Sequence, residues 1–297
     1  MISTRSNMQN WAALAERFEG RWLGVATMHG KEHVIGPPLA SVLPIAGHLP
    51  IQGVDTDRFG AFSGEVQRTK DPLSTAVEKA KHGAEVSGMD LVIASEGSFG
   101  PYPLSPFVSC NEEILVLYDA RDGSTFDHKY LSLDTVFSGE ACTSLAQVTA
   151  FAQRMKFPEH GLVLRTKVNW RPGDVQEKGI HDADRLLSAA SNLLTANGTV
   201  WVETDMRAMT NPTRMRVIGE TAQRFAAELA RGCPQCGHFF FRITGTRQGL
   251  PCELCCWPTE SIRSYTRECR ACAYSAEEAR PDGKKVEQPT FCGNCNP

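Results

Sequence analysis

The stretch DPLSTAVEKAKHGAEVSGMDLVIASEG, residues 71–97, decides the fold class. Asp71 offers a side-chain acceptor to the free amides at a helix start. Pro72 suits the first helical position, where its missing N–H is not needed. Leu73, Ala76, Val77 and Ala80 recur at helical spacing, which predicts a helix over 71–87. MDLVIA, residues 89–94, is a short unbroken apolar run of the kind that forms a central strand. It leads into Ser95-Glu96-Gly97-Ser98-Phe99-Gly100-Pro101, which reads as a polar loop at the strand end. A helix feeding directly into a buried strand is one step of an alternating α/β pattern.

Working outward, the alternation continues in both directions. Toward the N-terminus, residues 9–19 read as an amphipathic helix and 22–28 (WLGVATM) as a buried strand. That strand ends in the turn His29-Gly30-Lys31. Pro37-Pro38 argues against a continuous helix over 32–45, because proline lacks the amide donor and crowds the preceding turn. Residues 49–57 (LPIQGVDTD) read as a second strand, followed by a loop at 59–65. Toward the C-terminus, strands are expected at 112–119, 161–168 and 199–203, with a turn at Asp122-Gly123. Helices are expected at 143–155, 180–196 and 212–230. The reading is an α/β domain over residues 1–230, with a mixed, largely parallel sheet flanked by helices.

Composition narrows the class. The chain has 297 residues, of which 41% are hydrophobic, enough for a substantial buried core. A net charge of −3 gives no bulk attraction to nucleic acid or an anionic membrane. No apolar run reaches the roughly 18 residues of a membrane span. Residues 1–17 lack a basic start followed by an apolar stretch, so a secretory signal is not expected and the reading is cytoplasmic, with no membrane partner.

The cysteines are distributed unevenly. Of 11, only Cys110 and Cys142 precede residue 233. The tail carries four Cys-x-x-Cys pairs: Cys233 and Cys236, Cys252 and Cys255, Cys269 and Cys272, Cys292 and Cys295. Two residues between thiols let one tight turn aim both at the same ion, and two such turns complete a tetrahedral site. Four turns imply two zinc ions, with iron–sulfur ligation as the alternative. The intervals suit sequential pairing, first with second and third with fourth; interleaved pairing stays open at this level. Cys256 reads as a bystander. Residues 231–297 are thus expected to form a tandem zinc-ribbon module whose thin apolar content needs metal staples.

Polar clusters fall where predicted strands end, the place where open α/β sheets bind ligands. Thr27, His29 and Lys31 form one, Asp55 and Asp57 a second, Ser95 and Glu96 a third. Asp205, Arg207, Asn211 and Arg214 form a fourth, at the start of the last long helix. These residue types suit a phosphorylated ligand. Lys31 offers a point charge, Arg207 and Arg214 offer bidentate donors, and the helix start offers free amides. Glu96, with Asp55, Asp57 or Asp205, suits Mg²⁺, and Asp57 or Asp205 would orient a water.

Two resemblances bear on this reading. The whole chain resembles an uncharacterised bacterial family, a domain of unknown function with a four-CxxC tail. The matching stretches are ATMHGKE (26–32), VDTDRFGAFSGE (54–65), ASEGSFGP (94–101), ETDMRAMTNPTRM (203–215), and the tail's GLPCELC and final CGNCNP. More loosely, residues 22–125 resemble the inosine/xanthosine triphosphate pyrophosphatase superfamily. There a strand runs into a phosphate-holding Thr/Ser-x-Asn-x-x-Lys loop. Thr27 and His29 stand at matching positions and Lys31 one residue early. The helix at 71–87, the strand at 89–94 and Glu96-Gly97 match the features that follow. That resemblance implies that Glu96 binds magnesium and Lys31 neutralises a triphosphate. Together these give a zinc-binding protein whose α/β domain binds a nucleotide with magnesium, either to hydrolyse or to sense it. The alternative is a scaffold that contacts nucleic acid or protein through its ribbons, where Arg263, Arg267 and Arg270 cluster.

Overall fold

A computed structural model describes residues 2–54, 59, 70–103, 105–166 and 175–297, which divide into two compact units. One comprises Gly20–Ser41 and Ile45–Phe225. The other comprises Met1–Glu19, Val42–Pro44 and Ala226–Pro297.

The larger unit is built on a five-stranded mixed sheet. Its strands are β1 (Trp22–Ala26), β2 (Gly47–Pro50), β3 (Leu91–Tyr102), β4 (Ser105–Asp119) and β5 (Ser124–Ser132), in spatial order β2-β1-β3-β4-β5. The first three are parallel, and β4 and β5 add on antiparallel. Helices cover both faces. On one lies α3 (Pro72–Ser87), capped by Asp71, whose side chain accepts from the Ser74 amide, and closed by Gly88 at φ +70°. Its small residues permit close approach: Ala80 and Ala84 pack with Ala26, Val92 and Ala94. A Cβ on Gly83 would stand 3.1 Å from that of Ala26. On the other face lie α2 (Glu32–Ala40) and α6 (Pro212–Leu229), which meet where Gly219 approaches Val34.

The expectation against a continuous helix over 32–45 holds, whereas the loop expected at 95–101 does not form. A helix does form through Pro37 and Pro38, but it spans only nine residues and ends at once. The prolines forfeit two amide donors near its C-terminal end, where few turns remain to be broken. Residues 95–101, expected as a loop, continue β3 instead. β4 offers them an unbroken antiparallel ladder from Leu91↔Asp119 to Pro101↔Ser109, and that pairing outweighs their turn-like composition. Of the strand expected at 49–57, the structure shows β2; Asp55 and Asp57, with most of the loop at 59–65, lie outside the described residues.

The same unit holds a second sheet, entirely antiparallel, of β6 (Gly139–Cys142), β7 (Leu162–Arg165), β8 (Val175–Ile180) and β9 (Val200–Thr204), in order β6-β9-β7-β8. Helices α4 (Leu145–Arg154) and α5 (Ala183–Asn197) supply Val148, Phe151, Leu186 and Ala190 to its core.

In the smaller unit, α1 (Ile2–Phe18) brings Phe18 edge-on to Phe239, with ring centroids 5.3 Å apart. A three-stranded meander follows: β10 (Arg242–Gln248), β11 (Ile262–Glu268) and β12 (Ser275–Ala279).

One buried ion pair clamps the main sheet at the end opposite the candidate site. Arg21, just before β1, donates 2.8 Å bonds to both oxygens of Asp119 at the end of β4, and to the backbone carbonyl of Asp90 before β3. Arg21→Met would leave a buried carboxylate without its counter-charge. It is expected to lower unfolding free energy by about 3–5 kcal/mol, read by urea denaturation; a loss below about 1 kcal/mol would contradict this role.

Candidate functional site

The parallel strands end on a cluster of charges. Beyond β1 the chain turns through Thr27, whose hydroxyl accepts from the His29 amide, and through Gly30 at φ +68°. Lys31 follows at the start of α2. Its ammonium is buried and donates to Ser95 Oγ of β3 at 3.0 Å. Glu96, next on β3, points to the opposite face and pairs with Lys79 of α3. Glu113 on β4 binds Arg214 Nε at 2.8 Å, both side chains fully buried.

The fourth cluster frames this arrangement from the loop after β9. Asp205 is committed to Arg207: its oxygens accept from the Arg207 side chain and backbone and from the Gly179 amide. Burial works to raise the Asp205 pKa, and the bonds and charge of Arg207 outweigh it, so the group stays below the usual carboxylate range. Asn211 caps α6, its Oδ1 accepting from the Arg214 amide at 2.9 Å. Arg214 also donates to the Met206 carbonyl.

The outcome is unequal. Lys79, Arg207 and Arg214 each have a carboxylate partner, whereas Lys31 makes no ion pair among the described residues. Burial, and next the charge of Arg214, push Lys31 down to about 7. Burial, followed by Lys31, Arg214, Arg207 and Lys79, holds His29 near 3, so its ring is neutral. These side chains therefore lie within one electrostatic neighbourhood. A cleft of about 520 Å³, lined by Thr27, Met28, Gly30, Glu32 and residues 50–54, opens beside the end of β1.

Of the residues expected from sequence, Thr27, His29, Lys31, Arg207 and Arg214 are brought together, with Asp205 and Asn211 in support; Glu96 lies on the opposite face of β3, where its charge still acts on Lys31, and Asp57 lies outside the described residues. Sequence reasoning missed Lys79, Glu113 and Asn111. Lys79 was visible as a lysine on the apolar stripe of α3, three residues from Ala76 and one from Ala80. Glu113 and Asn111 sit on the inward face of β4, where polar residues demand partners. Asn111 is buried, and neither its amide oxygen nor its nitrogen has a hydrogen-bond partner among the described residues; the same holds for Glu113 Oε2.

The cysteines form two tetrads. Cys233, Cys236, Cys269 and Cys272 make one, and Cys252, Cys255, Cys292 and Cys295 the other, with all sulfurs of each within 4.8 Å. Sulfur separations of 3.6, 3.8 and 4.0 Å match the edge of a zinc–thiolate tetrahedron, about 3.8 Å for bonds of about 2.3 Å. The sequential pairing expected from the intervals is therefore corrected to interleaved. The meander is the cause. Arg242 pairs with Glu268 and Glu268 with Ser275, so the pairs at 233 and 269 share one end of the sheet. The pairs at 252 and 292 share the other, joined by the bridge Cys252↔Glu287.

Each pair is a tight turn in which the residue after the second cysteine donates back to the first: Gly237 to Cys233, Cys256 to Cys252, Ala273 to Cys269, Asn296 to Cys292. In the first three turns that residue has positive φ, so Cys256 occupies the backbone position that Gly237 and Ala273 fill elsewhere and lies outside the tetrads. Burial, then neighbouring thiols, push Cys236 up to about 12. A bound cation reverses that balance and releases the protons.

Fold and site together define an α/β protein with two four-cysteine metal-site geometries. The chain belongs to the family Domain of unknown function (DUF6671), whose model matches residues 79–297. No match was found among curated proteins. Among solved structures, the competence damage-inducible protein A (ComA) of Klebsiella pneumoniae is similar at 12% identity, over 51% of this chain and 90% of that one. The TM-score is 0.22, a likeness that carries no argument.

Two predictions follow from this geometry. After zinc loading, the double variant Cys233→Ser with Cys269→Ser should retain one metal ion, and Cys233→Ser with Cys252→Ser should retain none. Sequential pairing would give the reverse, and metal analysis of the purified variants decides. Asn111→Leu, which removes two unmet buried polar groups, should leave the melting temperature unchanged or raise it, equivalent to about 0–2 kcal/mol.

Proposed function

We propose that the α/β unit binds the phosphate groups of a small phosphorylated ligand, a nucleotide, and that the tail holds two structural zinc ions. One observation carries the reading: Lys31 is a buried lysine with no carboxylate partner among the described residues, at the end of a parallel strand, in company with Lys79, Arg207 and Arg214. A buried charge must be paired or give up its proton. Phosphate supplies what Lys31 lacks, and the strand-end position is where such sheets receive ligands. The loose pyrophosphatase resemblance supports the same assignment.

Magnesium would draw on Glu113, whose Oε2 has no hydrogen-bond partner among the described residues; Glu96 lies on the opposite face of β3 and is committed to Lys79. When bound, the ion would neutralise part of the phosphate charge. Asp205 serves by aiming Arg207. Turnover would require a further acid to orient water, a role for which Asp57 is the candidate from sequence. A second reading has its own observation. A cleft of about 520 Å³ in the tail is lined by Arg263, Arg280, Lys284 and Lys285, which suits nucleic-acid phosphates. Such binding would weaken steeply with added salt.

The test is thermal shift of the zinc-loaded protein with nucleoside mono-, di- and triphosphates and inorganic tripolyphosphate, with and without Mg²⁺. Phosphate ligands should raise the melting temperature in proportion to the logarithm of concentration over Kd, and Lys31→Met should abolish the shift while staying folded. No shift at millimolar ligand would end this reading. The pH dependence has a definite sign. Lys31 lies near 7 in the folded chain against 10.5 ordinarily, so between those values the unfolded chain holds a proton that the folded chain lacks. Stability from this group therefore rises with pH across that window. Ligand binding favours the charged lysine, so affinity should fall as pH rises above about 7. Calorimetry of the wild-type chain above pH 7, in buffers of different ionisation enthalpy, should show proton uptake on binding.

A further inference from the structure

A second, smaller pocket of about 100 Å³ adjoins the charge cluster, walled by Phe99, Phe137, Trp201 and Met206, with Glu203 at its edge. Phe99 and Phe137 stack with centroids 5.5 Å apart and planes inclined by 28°. Trp201 stays partly exposed, but its ring is fixed because Nε1 donates to Glu203 Oε2 at 2.8 Å. The other Glu203 oxygen takes Arg165 Nε at 2.7 Å.

Arg214 links this pocket to the cluster. Its guanidinium lies 5.3 Å from the Phe99 ring centroid, and it donates to the backbone carbonyl of Met206, another wall. The same side chain depresses the pKa values of Lys31 and His29. One arginine thus stands between a patch that wants negative charge and a patch of rigid aromatic faces.

We propose that this pocket seats the base of the nucleotide whose phosphates occupy the Lys31 cluster. The inference rests on the phosphate-binding reading above. Aromatic faces held in place stack on flat heterocycles with little ordering cost, whatever the base. Glu203 has accepted one hydrogen bond at each oxygen and has acceptor capacity left. The favoured ring therefore presents N–H groups at its edge, as nucleobases do.

The experiment is calorimetric titration of the full-length, zinc-loaded chain with the four ribonucleoside triphosphates and with inorganic tripolyphosphate. At least one nucleotide should bind about tenfold or more tightly than tripolyphosphate. Trp201→Leu should erase that advantage and leave tripolyphosphate affinity unchanged, which also shows the variant to be folded. Trp201→Phe, which keeps a flat face, should restore most of it. Equal affinity for nucleotides and tripolyphosphate in wild type, or an advantage that survives Trp201→Leu, would overturn the base pocket and leave the phosphate site standing. Failure of all five probes to bind would overturn both.

Discussion

The ion pair between Arg214 and Glu113 holds the larger unit's candidate site together. Both side chains are fully buried, so neither charge has water to fall back on. Breaking such a pair leaves an uncompensated charge in a dry environment, a penalty of about 3–5 kcal/mol. The arginine does more than neutralise. Its backbone amide is capped by Asn211, its guanidinium holds the Met206 carbonyl, and its face lies over Phe99. Through these contacts the start of α6, the loop after β9 and the strands β3 and β4 are fixed relative to one another. Gly97 is where this packing meets the backbone: a Cβ there would lie 2.5 Å from the guanidinium and 2.8 Å from the carboxylate.

That pair also explains why Lys31 has no carboxylate partner among the described residues. Cations and acids in the cluster pair off as Lys79 with Glu96, Arg207 with Asp205 and Arg214 with Glu113. Each pairing satisfies one acid, and a hydroxyl, Ser95, is what remains for Lys31. The local field is thus arranged so that one buried base is neutral or charged according to what approaches it. A hydroxyl partner accepts from either form, so the resting site tolerates both.

Much of this was legible in the chain, and the misses have physical causes. The helix at 71–87 was readable to its cap because Asp71, Pro72 and the apolar spacing are local signals, and Asp71 and Gly88 do bound it. The continuation of β3 through residues 95–101 was not, because it depends on pairing with β4, and pairing is a non-local interaction. Lys31, Glu96 and Arg214 could be named as candidates from strand-end position alone. Glu113 could not, since a single acid in a strand says nothing of which face it takes until the register is known. The cysteine pairs announced two metal sites. Their partnering depended on the meander, in which strands whose ends carry the first and third pairs run side by side.

Interleaving sets an order on events during synthesis. A ribosome releases the chain from its N-terminal end, and had neighbouring pairs matched, the first tetrad would have been complete once Cys255 emerged. In the arrangement seen, Cys233 and Cys236 wait for Cys269 and Cys272, with the second pair already exposed between them. Two half-sites therefore coexist on the nascent tail before either can close, and an ion that bridges Cys236 to Cys255 in that interval would trap the wrong partner. The hairpin of β10 and β11 lies between the two correct halves of the first site. Its pairing is the local step that biases the contest, since it draws 233 toward 269 while leaving 252 at the far end.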